Sequence, residues 1–173
     1  MKFPVEKFEG QKTPFYYYDL GLLRCTLGKI CECTAGMPYF VHYAVKANAN
    51  PRIVAEVGKA GLGIDCVSGG EIRVALEAGI PGNKIVYAGV GKTDDEINLG
   101  LDNDILCFNV ESIPELEIIN ELASLRGKVA PVAIRVNPNI DAHTHRYITT
   151  GLNENKFGID LGMLDDVVER VKM

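Results

Sequence analysis

The stretch Phe40-Val41-His42-Tyr43-Ala44-Val45-Lys46-Ala47-Asn48-Ala49-Asn50-Pro51 holds the sharpest chemical signal in the chain. Its apolar opening predicts a buried strand, and that strand delivers a lysine. A lysine emerging from a buried strand is partly desolvated, and desolvation or a nearby cation favours the neutral amine. Neutral amine attacks an aldehyde to form a Schiff base. The competing reading is a lysine whose apolar stem carries its ammonium out to solvent. Residue types alone leave both readings open.

The elements that must position this lysine recur along the chain. The strand is expected over 39–45. Asn50 can cap the next helix, and Pro51 suits its first position. That helix uses Ile53, Val54 and Val57 and stops near Gly61. A second strand over 62–67 leads to Ser68-Gly69-Gly70-Glu71, which has capping-box spacing. A third strand over 84–88 leads to a second such box, Thr93-Asp94-Asp95-Glu96. A fourth over 104–110 leads to Ser112-Ile113-Pro114-Glu115 and a helix to about Arg126. A fifth covers 129–136, and a last helix begins near Gly162. No strand reads as an alternation of apolar and polar residues. Five β-α units with strands buried on both faces mean a parallel sheet. A doubly wound sheet and a (β/α) barrel both fit. Residues 1–37 stand apart, with an aromatic strand at Thr13-Pro14-Phe15-Tyr16-Tyr17-Tyr18 and a helix capped by Asp19. Five units cannot close a barrel of eight strands. The final helix also runs to Met173 without a cap, so a longer protein is expected.

In parallel α/β folds the chemistry gathers beyond the carboxyl ends of the strands. Those ends carry Lys46, Asp65-Cys66, Tyr87, Asn109, and Arg135 with Asn137. An amine, an acid and a guanidinium are thus expected on one rim. Other signals are weaker. Gly91-Lys92-Thr93 resembles the end of a phosphate loop, but that motif requires glycine where Val86 stands. Ser68-Gly69-Gly70 could hold a phosphate at a helix N-terminus, although capping already accounts for Ser68. His143 and His145 lack a third metal ligand. Cys31-Glu32-Cys33 lacks the partners of a structural zinc site. The polar run from Asn137 to Asp160 exceeds an ordinary connection and reads as a binding loop or lid.

Bulk properties narrow the partners. The 173 residues are 47% hydrophobic with a net charge of −5. That acidity disfavours nucleic acid. No apolar run approaches the ~18–20 residues that cross a bilayer, and no secretory signal is recognised at the N-terminus. An odd set of five cysteines then points to reduced thiols in a cytoplasmic protein.

Tyr43-Ala44-Val45-Lys46-Ala47-Asn48 resembles the cofactor-lysine motif of the fold-type III pyridoxal-phosphate enzymes. Thr13–Asp19, Gly63–Glu71, Arg135–His145 and Thr150–Ile159 resemble the diaminopimelate branch of those decarboxylases. The likeness covers nearly the whole chain in order. It implies an incomplete (β/α)8 TIM-type barrel over residues 38–173, with the 1–37 strand belonging to a separate β-domain. It implies that Lys46 carries pyridoxal 5'-phosphate, that Asp65 is an acid near it, and that Glu71 lies next to the site. Arg135 would belong to a polar network below the cofactor, and Asp141–Phe157 would form a lid. The implied reaction is decarboxylation of meso-2,6-diaminopimelate to L-lysine by a homodimer. The family's ring-stacking histidine, phosphate loop and substrate clamp fall beyond Met173, so this segment alone is expected to be inactive. The alternatives are a barrel-only carrier of pyridoxal phosphate and an ornithine- or arginine-type decarboxylase.

Overall fold

Side-chain alternation explains how the strands of this chain can carry both a core and a site. The computed structural model describes residues 3–138 and 157–172. Strands β1 (His42–Ala44), β2 (Gly63–Cys66), β3 (Ile85–Tyr87), β4 (Cys107–Val110) and β5 (Val132–Ile134) form one parallel sheet in sequential order. Parallel β6 (Val136–Asn137) and β7 (Ile159–Asp160) follow, and the Ile159 N–H donates to the Arg135 carbonyl at 2.7 Å. Between the strands run helices α2 (Pro51–Lys59), α3 (Gly69–Glu77), α4 (Asp94–Asp102) and α5 (Ile113–Leu125). Neighbouring helices touch in chain order, α2 on α3, α3 on α4 and α4 on α5. A doubly wound sheet reverses its strand order and puts helices on both faces. Sequential order with one helical layer is the arc of a barrel, which decides the choice that sequence pattern left open.

The core lies between that helical layer and the outer face of the sheet. Ile64, Cys66, Ile85, Tyr87, Phe108 and Val110 are all fully buried. Their neighbours on the inner face, Asp65, Val86, Cys107 and Asn109, are only half-buried. The expectation of strands apolar on both faces is therefore corrected. β2 and β4 do alternate, and polar Asp65 and Asn109 occupy the inner face.

Local capping follows the sequence closely. Asn50 Oδ1 accepts the Arg52 N–H at 3.0 Å, Ser68 Oγ accepts from Glu71 at 3.3 Å, and Thr93 with Glu96 forms a complete capping box. Strand lengths follow it less well. The first strand spans three residues rather than seven, because Val45–Ala47 closes a 3₁₀ turn in which the Asn48 N–H reaches the Val45 carbonyl at 2.8 Å. The fourth begins at Cys107, after Asp104 takes φ of 48°. The fifth breaks at Arg135. The last helix, α6 (Leu164–Lys172), begins after a 3₁₀ turn over Leu161–Met163.

Residues 1–37 form a separate compact unit. It contains α1 (Leu20–Thr34), capped by Asp19, whose Oδ1 accepts the Leu22 N–H at 3.0 Å. The expected strand at Thr13–Tyr18 is not formed among the described residues. A strand needs a neighbour to take its hydrogen bonds, and none pairs with this segment among the described residues. Phe15, Tyr16, Tyr17 and Tyr18 are all exposed.

Gly100 sets how closely α4 approaches the sheet. A Cβ there would lie 2.8 Å from Phe108 Cζ and 2.9 Å from Ile105 Cδ1. Gly100→Ala is expected to destabilise the fold by about 1–3 kcal/mol through overpacking. Gly28→Ala meets nothing within 4 Å on α1, and is expected to be stabilising by about 0.5–1 kcal/mol. Urea unfolding of the two variants should give opposite signs.

Candidate active site

The Asn-x-Asn-Pro turn places Lys46. Asn48 Oδ1 accepts the Asn50 N–H at 2.9 Å, and the Tyr43 hydroxyl donates to the Asn48 carbonyl at 3.2 Å. Asn50 then caps α2, so the chain turns sharply just past the strand. Lys46 sits on that turn, at the carboxyl end of β1. Register puts Ala44 beside Asp65, Asp65 beside Val86, Cys107 beside Val86, and Asn109 beside Ala133. Inner-face residues of successive strands thus converge on one rim. A cavity of about 650 Å³ opens there, lined by Lys46, Asp65, Asn109, Glu111, Arg135 and Phe157 among others.

Lys46 is exposed rather than partly buried. The desolvation expected at the strand end is absent among the described residues, because the turn lifts the side chain clear of the core. Its ammonium makes no hydrogen bond with them. Asp65 differs. Its Oδ1 is buried without a hydrogen-bond partner among the described residues. Burial raises its pKa above the ordinary carboxylate value, and Lys46, His42 and Arg135 pull it back only in part.

A raised folded pKa has a definite sign. Stability is fully present below the ordinary aspartate pKa of about 3.9, and is lost as pH rises through the higher folded value. Asp65→Asn removes that charging cost. The variant is expected to show a higher urea midpoint than the parent at neutral pH, with the difference vanishing below about pH 4. An Asn variant less stable at neutral pH would mean that the cations around Asp65 outweigh its burial.

Other expected site residues lie elsewhere. Tyr87 and Cys66 face the helices. The Tyr87 hydroxyl donates to Glu96 Oε2 at 2.9 Å. Burial first, then Glu71 and Asp65, push the Cys66 thiol up to about 12, so it is a poor nucleophile near neutral pH. Glu71 does not line the cavity. Its Oε2 accepts the Val67 N–H at 2.7 Å, so it reaches the cavity only through the Val67 backbone. His143, His145 and residues 139–156 of the expected lid lie outside the described residues. Among the described residues no three His, Cys, Asp or Glu side chains converge as a metal site. No helix among them is long and apolar enough to cross a membrane.

Sequence reading missed three charged residues at the rim. Glu111 has a side chain only 2% exposed and pairs with Arg135 at 3.1 Å. Lys92, whose side chain is 1% exposed, pairs with Glu115 at 2.6 Å. Lys92 Nζ also donates to the Gly89 carbonyl at 2.7 Å and the Asn109 carbonyl at 2.9 Å, and lies 5.1 Å from the Tyr87 ring centre. The available signal was the acidic residue between a strand and the helix cap at Ser112.

Residues 28–172 match the pyridoxal binding domain of the pyridoxal-dependent decarboxylases. A diaminopimelate decarboxylase of Bacteroides thetaiotaomicron is 61% identical over 168 residues, which are 96% of this chain and 44% of that protein. A crystal structure of a variant diaminopimelate decarboxylase from Helicobacter pylori, complexed with L-lysine, superimposes with a TM-score of 0.91 at 43% identity. It covers 97% of this chain and 43% of that one. The arginine decarboxylase of Paramecium bursaria Chlorella virus shares the fold, with a TM-score of 0.80 at 21% identity over 97% of this chain and 42% of that one. The chain spans less than half the length of each.

Proposed function

Because the chain belongs to the pyridoxal-dependent decarboxylase family, we propose that its full-length gene product converts meso-2,6-diaminopimelate to L-lysine with pyridoxal 5'-phosphate. The observation that carries this reading is the 61% identity, along 96% of the chain, to a relative named diaminopimelate decarboxylase. The arginine decarboxylase, at 21% identity, supports the fold and says nothing of the substrate.

The cavity suits the cofactor. It offers an exposed primary amine, a buried carboxylate oxygen without a partner among the described residues, and a guanidinium. Its volume of about 650 Å³ lies within the roughly 300–1,000 Å³ usual for small-molecule sites. Lys46 Nζ would hold the aldehyde carbon covalently. Bound pyridoxal phosphate supplies the electron sink for loss of an α-carboxylate. Asp65 places a carboxyl of raised pKa near Lys46, where it can hold a proton. Arg135 presents a permanent positive charge to the anionic ligand. Glu71 acts one step back, fixing the Val67 backbone at the cavity wall.

Release of carbon dioxide from carboxyl-labelled meso-diaminopimelate, with L-lysine as the other product, is the test. Turnover of ornithine or arginine without turnover of diaminopimelate would sink the assignment. The exposed Thr13–Tyr18 aromatics add a strand to a separate β-domain in this proposal. Their backbone amides should be protected from hydrogen exchange in the full-length gene product, and rapid exchange would remove the strand. A barrel-only carrier would leave these aromatics without a use. Assembly as a cytoplasmic homodimer completes the proposal, and light scattering at micromolar concentration would disprove it by returning a monomer mass.

A further inference from the structure

Arg135 faces the cavity on a long side chain that is 43% exposed. Left alone, such a side chain samples many rotamers, and fixing it costs entropy. Here it is held from two directions. Nη1 donates to both Glu111 oxygens at 3.1 Å, and the guanidinium carbon lies 5.3 Å from the Phe157 ring centre. The backbone is held as well. Gly158 takes φ of 87°, and a Cβ there would sit 2.8 Å from the Arg135 carbonyl oxygen.

Glu111 is itself anchored. Its Oε1 accepts the Gly89 N–H at 3.1 Å, and its own N–H donates to Glu115 Oε2 at 2.8 Å. The other Glu115 oxygen takes the Lys92 ammonium, which closes the loop on the Gly89 and Asn109 carbonyls. The ends of β3 and β4 and the first turn of α5 are thereby tied around one carboxylate. A nearly solvent-free carboxylate requires such partners. The pair engages Nη1 alone, so Nε and Nη2 of Arg135 have no hydrogen bond with the described residues.

We propose that Glu111 is a positioning residue, whose carboxylate holds the Arg135 guanidinium so that its remaining donors face a ligand in the cavity. The inference rests on the reading of that cavity as the pyridoxal-phosphate site. A double-mutant cycle in the full-length apo gene product tests it, with the dissociation constant for pyridoxal phosphate as readout. Arg135→Ala should weaken binding. Glu111→Gln keeps an acceptor for Gly89 but loses the charge, and should weaken binding on the order of tenfold, the lower end of what lost outer partners cost in bound-metal sites. The double variant should bind no worse than Arg135→Ala. Glu111→Asp, which keeps the charge, should recover part of the affinity, and carries the same cycle if the Gln variant does not fold.

Unchanged affinity in the position-111 variants, or effects that multiply independently of Arg135, would overturn the role, even if the unfolding midpoint falls. Unchanged affinity in Arg135→Ala would instead remove the site reading, and the proposal with it.

Discussion

Lys46→Ala in the full-length gene product is expected to abolish borohydride-fixed attachment of pyridoxal phosphate and to lower decarboxylation on the order of 10³-fold or more. The structure gives two reasons for so large an effect at this lysine. Lys46 faces the cavity, and its ammonium is uncommitted among the described residues. Lys92, also near the rim, cannot replace it, because its ammonium already donates to two carbonyls and a carboxylate. Lys46→Arg separates nucleophile from charge. It should lose attachment and turnover as fully as the alanine variant. An arginine variant that keeps most of its turnover would show that position 46 needs only a cation.

Lys92→Met should be the most destabilising single change at the rim, by about 3–5 kcal/mol. Methionine roughly fills the volume but leaves Glu115, at 13% exposure, without its cation. It also removes the donor to the Gly89 and Asn109 carbonyls. The exposed pair Lys29–Glu32, with side chains 74% and 72% exposed, is the control. Lys29→Met should change stability by less than about 1 kcal/mol, since solvent screens such pairs. Urea unfolding measures both. Similar small losses in the two variants would mean that the Lys92 network is not a structural tie.

The contrast between these lysines shows which features could be read from sequence. Caps depend on contacts two or three residues apart, so Asn50, Ser68, Thr93 and Ser112 were all legible. The order of β-α units was legible too, because short β-rich apolar runs alternate along the chain with capped helical stretches. Strand ends were not, since they depend on pairing with neighbours distant in the chain. Lys46 was found by residue type and motif, but its exposure depends on the turn that follows β1. Asp65 and Arg135 were placed correctly on the rim because side-chain alternation and register carry them there. The resemblance puts Glu71 next to the site; its carboxylate does not line the cavity but accepts the N–H of Val67, which does. Glu111 escaped notice because its partner, Arg135, lies 24 residues away. The Thr13–Tyr18 segment has strand-forming residues, yet residue type cannot supply the neighbour that a strand requires.

Lys46 is proposed to be the amine that holds pyridoxal phosphate. Peptide mass spectrometry of the full-length gene product, after incubation with pyridoxal phosphate and borohydride reduction, tests it most directly. A single pyridoxyl label on the peptide containing Lys46 is the predicted result. A label on Lys92, or one spread over several lysines with Lys46 unmodified, would contradict it.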